Sequence, residues 1–252
     1  EESNRHAPHF IETLAKKSGD NFIISGTKNF VIDGHSSKLL IVAARTEGEK
    51  NDASGITLFL VESDHQDVEI TKTSMVDSRN AANIQFNDVA VSSENIIGEE
   101  NNGASVLEVV LDRAQIAISA EMLGNASQAF DLTLEYLKER KQFGAVIGTF
   151  QALQHRAAEM YSELELTKSS VIAACNAVDQ NSNDLRRMAS LAKFKSGETN
   201  HLITNEAIQM HGGVGVTDEY DVGLFMKRAR VTEQIFGNSE YHIDRYATLS
   251  DY

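Results

Sequence analysis

The hydrophobic pattern of this chain changes period once, near Gly103, and that change divides the 252 residues into two kinds of structure. Before it, apolar residues come in short runs, rich in β-branched side chains and bounded by Gly, Asn, Asp or Ser, over 21–25, 29–33, 38–45, 56–62, 68–73 and 83–91. Such runs predict strands, with Ser25-Gly26-Thr27 and Asp33-Gly34 as the clearest turns. No helix-length amphipathic segment separates them, so the sheet is expected to be mostly antiparallel, a β-barrel or sandwich. After Gly103 the spacing lengthens. Phe150, Leu153, Ala157, Met160, Leu164, Thr167, Val171, Ala174 and Val178 recur in steps of three and four, the stripe of a long buried-face helix. Helices are predicted over roughly 104–139, 149–180, 183–210 and 218–249, and short connections between them imply an antiparallel four-helix bundle. The single proline, Pro8, precedes all four. The expected class is α+β, with a sheet domain over 1–100 and a helical domain over 101–252.

Charge and residue usage exclude several functions. Lys and Arg total 23 against 37 Asp and Glu, a formal charge of -14, so nothing attracts a phosphate backbone through net charge, and nucleic acid is not an expected partner. The longest apolar runs, 39–44 and 56–61, are too short to insert across a bilayer. A lone cysteine, Cys175, cannot form an internal disulfide, which points to a cytoplasmic protein. It sits among Ala and Val in a predicted helix and reads as a small core residue rather than a nucleophile. The eight histidines are scattered, with no Glu-x-x-His pairs of a di-iron bundle, so no metal is expected. No Gly-x-Ser-x-Gly elbow supports a serine hydrolase.

Two glycine-containing segments carry more information. In Gln209-Met-His-Gly-Gly-Val-Gly215, between two predicted helices, successive glycines would let backbone N–H groups approach an anion such as a pyrophosphate. Taken alone it is equally a glycine-rich helix end, and no strand precedes it as a dinucleotide-binding fingerprint requires. Arg140-Lys-Gln-Phe-Gly144 closes the first long helix with a cation, an aromatic and a glycine together, and alone it reads as a charged C-cap.

Together, and in order, the segments resemble a known family. The stretch from Arg140-Lys-Gln-Phe-Gly144 through Ile147 to Phe150-Gln151 resembles the R-x-Q-F-G-x-x-I-x-x-F-Q signature of acyl-CoA dehydrogenases. Gln209 through Glu219-Tyr220 resembles the same family's Q-x-x-G-G-x-G-x-x-x-E-Y signature, and 25–34, Asp77-Ser-Arg79 and Phe86-Asn-Asp-Val89 resemble its middle β-domain. The likeness covers nearly the whole chain. It implies a flavin adenine dinucleotide lying between the β-domain and the helical domain, with a neighbouring subunit completing the site, hence a dimer or tetramer. Arg140 and Phe143 match positions at the neighbour's pyrophosphate and adenine region. Gln151 belongs to the same cofactor segment, and Gln209, Gly212 and Gly213 match a second arm. Phe30 matches the aromatic beside the flavin ring, and Asn238 and Ser239 lie near the terminal flavin contacts.

The implied chemistry is α,β-dehydrogenation of an acyl-CoA thioester, in which a carboxylate removes the α-proton while the flavin takes hydride from the β-carbon. An electron-transfer flavoprotein is the implied acceptor. The chain departs from the family pattern in three places. Residues 235–239, Ile-Phe-Gly-Asn-Ser, lack the glutamate that most members carry before a glycine. Some relatives place the base on the first bundle helix just before an arginine, and here that residue is Asp112, the candidate base. Its bland alternative is a charge pair across the bundle, and Glu240 and His242 are weaker candidates. Ile32 stands where many relatives carry a hydroxyl at the flavin ring. Finally, Glu1 through Asn4 matches a turn that follows a helical domain in the family, so the 252 residues correspond to the last two thirds of a subunit. Three readings follow: an FAD-dependent acyl-CoA dehydrogenase, a non-catalytic companion subunit of a heteromeric one, and a binding or structural bundle without flavin.

Overall fold

The computed structural model describes Glu1 and residues 6–252, so most of the turn at residues 1–4 lies outside the described residues. The chain forms two compact units, Glu1–Val110 and Leu111–Tyr252.

The first unit is one seven-stranded sheet: β1 (Leu14–Ser18), β2 (Asn21–Ile32), β3 (Leu39–Arg45), β4 (Ile56–Glu62), β5 (Val68–Ser74), β6 (Asn80–Ser92) and β7 (Ile96–Ile97), in the order β5-β6-β2-β1-β3-β4-β7. Among the described residues the strands pair antiparallel except at the Leu14↔Arg45 contact that joins β1 to β3, and an isolated parallel bridge ties Ile56 to Asn102. Period-two alternation decides what is buried. On β3, Leu40, Val42 and Ala44 face inward while Leu39 and Ile41 are exposed. Phe22 on β2 and Phe59 on β4 stand with ring centroids 5.1 Å apart although β1 and β3 separate their strands. Across a flat sheet three strand spacings would hold them roughly 14 Å apart, so the sheet curls round its core, in agreement with the expected β-barrel or sandwich. Phe59→Ala removes a fully buried ring from that core and should cost about 3–5 kcal/mol, read as a shift of the urea midpoint.

The runs expected at 21–25 and 29–33 are one long strand, β2, kept continuous by irregularities between Ile24 and Gly26 and between Lys28 and Val31. At Gly26, φ is 150° and a Cβ would stand 2.7 Å from the Thr13 backbone, so the turn-like Ser-Gly-Thr marks a close strand crossing rather than a chain reversal.

The second unit contains most of α1 (Gly103–Glu139), then the short pair β8 (Lys141–Gln142) and β9 (Ala145–Val146), α2 (Gln151–Asp179), α3 (Leu185–His211), α4 (Val222–Gln234) and α5 (Ser239–Thr248). The fourth predicted helical span is two helices in series, broken at residues 235–238. The α3 helix is central, packing against α2, α4 and α5, and its inward face carries Ala189, Lys193, Ser196, Asn200, Ile203 and Ala207, all buried. Cys175 is exposed on α2, which corrects its reading as a core residue. Its neighbour Ala174 takes the buried position instead. Among the described residues no helix is long and apolar enough to cross a membrane.

Candidate functional site

At Arg140 the chain leaves α1 and turns through the hairpin of β8 and β9, whose pairs Lys141↔Val146 and Gln142↔Ala145 leave Phe143 and Gly144 as a two-residue loop. Both have positive φ, 56° and 79°, as a type I′ turn requires. Asn, Asp or Gly ordinarily fill such positions, and a bulky side chain there is strained. Phe143 is nevertheless 92% exposed, so the hairpin holds an aromatic ring in solvent at a conformational cost. The hairpin is pinned to the helix. Ile147 N–H donates to the Arg140 carbonyl at 2.9 Å, and a Cβ on Gly148 would stand 2.7 Å from the Leu137 carbonyl oxygen, a close approach that only glycine permits.

The second glycine segment comes to the same end of the helical unit. The His211 ring stacks on Tyr136 at 4.2 Å. The Tyr136 hydroxyl donates to the His211 carbonyl at 3.2 Å, and Tyr220 sets its ring against both. The C-terminal ends of α1 and α3 are thereby joined, placing Arg140 one turn beyond Tyr136 and Gln209, Gly212 and Gly213 around His211. A Cβ on Gly212 or Gly213 would meet nothing within 4 Å, so there is room beside them, while the Gly212 N–H is already donated to the Gln209 and Ile208 carbonyls that end α3. The exposed side chains of Arg140, Gln151 and Gln209 make no hydrogen bond or ion pair among the described residues.

His211 was not a sequence candidate, although its place inside the glycine motif could have marked it. Its Nδ1 lies 2.7 Å from the Ala207 carbonyl, while Nε2 is buried without a hydrogen-bond partner among the described residues. Burial lowers its pKa below the usual 6.5, opposed by the bond to Ala207. With the folded value below the unfolded one, this group's stabilising contribution is complete above the unfolded pKa and is lost as pH falls through the folded pKa. Between about pH 7.5 and about pH 5, the urea midpoint of wild type should therefore fall more steeply than that of His211→Phe, which keeps a ring for the stack without titrating. Parallel profiles would contradict this.

In the sheet unit, Phe30 also has positive φ, 53°, and is 62% exposed. Its N–H donates to Asn83 Oδ1 at 3.1 Å where β2 departs from regular pairing with β6. Ile32, two residues on, is exposed as well and offers no hydroxyl.

Of the other candidates Asp112 and His242 are buried, Asn238 and Ser239 half-buried and Glu240 exposed. Asp112 is 3% exposed. An Arg245 guanidinium nitrogen lies 2.5 Å from one of its oxygens and Arg186 Nε 3.7 Å from the other. Asn238 caps α5, its Oδ1 accepting from Tyr241 N–H at 3.1 Å. Ser239 donates to Glu198 at 2.7 Å. Glu240 is exposed and His242 fully buried. At Gly237 φ is 113°, and a Cβ would stand 2.4 Å from the Tyr241 ring and 2.6 Å from His242 Nε2, so this position admits no side chain.

Comparison with known proteins identifies the family. The family profile "Acyl-CoA dehydrogenase, middle domain" matches residues 2–89, and "Acyl-CoA dehydrogenase, C-terminal domain" matches residues 101–248. The chain belongs to the acyl-CoA dehydrogenase family. It is 32% identical over 240 residues to the mitochondrial short/branched chain specific acyl-CoA dehydrogenase of Bos taurus, covering 94% of this chain and 55% of that one. With the probable acyl-CoA dehydrogenase YngJ of Bacillus subtilis it shares 34% identity, covering 91% and 61%. The butyryl-CoA dehydrogenase structure from Megasphaera elsdenii superposes with a TM-score of 0.90 at 28% identity, covering 96% of this chain and 64% of that one. The chain thus spans a little over half the length of these two curated relatives.

Proposed function

We propose that this chain binds FAD and belongs to an enzyme that dehydrogenates an acyl-CoA thioester between its α and β carbons. The observation that carries the reading is a division among the candidate residues. Arg140, Phe143, Gln151, Gln209, Gly212, Gly213 and Phe30 are exposed and available, two of them as phenylalanines at positive φ. A strained, solvent-held aromatic beside an unpaired guanidinium and uncrowded glycines suits a ligand with a planar ring and a pyrophosphate. Arginine supplies fixed, permanently charged donors to phosphate oxygens, and the absence of side chains at Gly212 and Gly213 leaves room for a ligand to come close. FAD, when bound, accepts the hydride from the β-carbon. The chain's own part is to hold it and to offer Asp112, shielded from bulk water, as acceptor of the α-proton. A neighbouring subunit completing the cofactor site, an electron-transfer flavoprotein as acceptor and a cytoplasmic location complete the reading.

A second reading is favoured by one observation: Asp112 is held by two arginines and residues 235–239 contain no carboxylate. With Arg245 on one of its oxygens and Arg186 toward the other, the carboxylate anchors cations across the helices instead of standing free to take a proton. In this reading the chain is a non-catalytic companion subunit that supports a partner's flavin. A bundle that merely keeps the fold would bind no flavin at all. FAD binding by wild type separates the flavin readings from that one, and Arg140→Ala tests the assigned contact. Loss of a charge-assisted contact worth about 1.5–3 kcal/mol should weaken FAD binding roughly 10- to 100-fold in a fluorescence titration. Unchanged affinity would remove Arg140 from the cofactor.

A further inference from the structure

The link between α4 and α5 gathers three backbone carbonyls, of Glu233, Phe236 and Gly237, on buried donors. Lys193, on the inward face of α3 and 2% exposed, donates from Nζ to the Glu233 carbonyl at 3.0 Å and the Gly237 carbonyl at 2.7 Å. His242 Nε2 lies 3.0 Å from the Phe236 carbonyl, and Gln115 Nε2 approaches the same oxygen at 3.4 Å. The other His242 nitrogen, Nδ1, is 3.3 Å from Ser190 Oγ. Ser190 Oγ in turn lies 2.9 Å from Arg245 Nη1, whose Nη2 holds Asp112.

The donor directions along this path are determined by chemistry. The Phe236 carbonyl can only accept, so His242 carries a proton on Nε2, and arginine can only donate, so Ser190 accepts from Arg245. In the Nε2–H tautomer the other nitrogen, Nδ1, accepts from the Ser190 hydroxyl. The donors run without conflict from Arg245, anchored on Asp112, to the turn. We propose that Lys193 and His242 are positioning residues that fix the 235–238 turn in one conformation, with Ser190 and Arg245 setting the tautomer of His242. Burial lowers the Lys193 pKa to about 8, partly offset by the Glu233 carboxylate, so the ammonium is kept in the core at a desolvation cost. Two carbonyls that would otherwise be buried unpaired account for its retention. The turn leads into Asn238 and Ser239, so loosening it should weaken FAD binding; that consequence alone rests on the flavin reading above.

Hydrogen exchange followed by mass spectrometry on the whole chain tests the lock. In Lys193→Met and in Ser190→Ala, peptides covering 233–239 should exchange at least about tenfold faster, while peptides at the Tyr136–His211 end keep wild-type rates. The ring nitrogens of His242, read by nitrogen-15 NMR, should report the Nε2–H tautomer in wild type and lose that single signature in Ser190→Ala. Unchanged exchange in 233–239, or acceleration spread evenly over the helical unit, would overturn the proposal. If Lys193→Met does not fold, Ser190→Ala, which removes only a hydroxyl, decides by the same two readouts. An FAD titration of the same variants is read separately. Failure of wild type to bind FAD would count against the flavin reading and leave the exchange result to decide the lock.

Discussion

Replacing Arg245 by methionine is expected to destabilise the helical unit by about 3–5 kcal/mol, because it strands a buried carboxylate. The Asp112 side chain is 4% exposed, and once Arg245 is removed its remaining cation is Arg186, half exposed and 3.7 Å away. Arg245 also serves Gln115 Oε1, the Arg186 carbonyl and Ser190 Oγ, so its loss unsettles α1, α3 and α5 together. The urea midpoint measures this, and thermal unfolding should move down by roughly 2–4 °C for each kcal/mol. A loss below about 1 kcal/mol would place the pair among exposed ion pairs of little consequence. Asp112→Asn should cost less, since Arg245 keeps its other acceptors. That variant also separates the two roles of Asp112: a base whose removal abolishes flavin reduction in a folded protein, or an anchor whose removal lowers stability and leaves reduction unchanged.

Gly237→Glu is expected to lose about 4 kcal/mol or more, or to fail to fold, and to gain no flavin reduction. The substitution puts a carboxylate into the segment that lacks one. The backbone there lies at φ 113°, and the new Cβ would meet the Tyr241 ring and His242 Nε2 at distances no side chain tolerates. Both of those residues are on α5, and His242 is fully buried, so relief would require α5 to shift. Gly237→Ala tests the same point with less volume and should already be clearly destabilised. A Gly237→Glu protein with wild-type stability and faster flavin reduction would show a pliable turn and an active site awaiting only its carboxylate.

The change of hydrophobic period near Gly103 made the sheet and the long helices readable, because burial of one face dominates both patterns. Strand β1 was missed because Leu-Ala-Lys-Lys-Ser offers a single buried side chain, Ala15. The break between α4 and α5 was missed because 235–238 contains no proline and its one glycine resembles an ordinary interruption, while the carbonyls that stabilise the break are met by Lys193 and His242 from other parts of the chain. Lys193 itself was legible in principle. It occupies a step of the same three-and-four spacing as Ala189, Ser196, Asn200 and Ile203, but a search for apolar stripes passes over a lysine. Asp112 was found by family likeness, yet nothing near it in sequence announces Arg245, 133 residues away. For the side chains of Arg140, Gln151 and Gln209 there is no hydrogen-bond or ion-pair partner among the described residues to be discovered, so sequence position alone already describes them.

The most direct test of the account is the visible absorption spectrum of the purified chain, reconstituted with FAD, before and after anaerobic addition of acyl-CoA thioesters of several chain lengths. The expected result is bound flavin whose absorbance bleaches as it is reduced by at least one thioester. Flavin that binds and stays oxidised with every thioester would contradict dehydrogenation by this chain and leave the companion-subunit reading, and failure to retain flavin would contradict the proposed cofactor site itself.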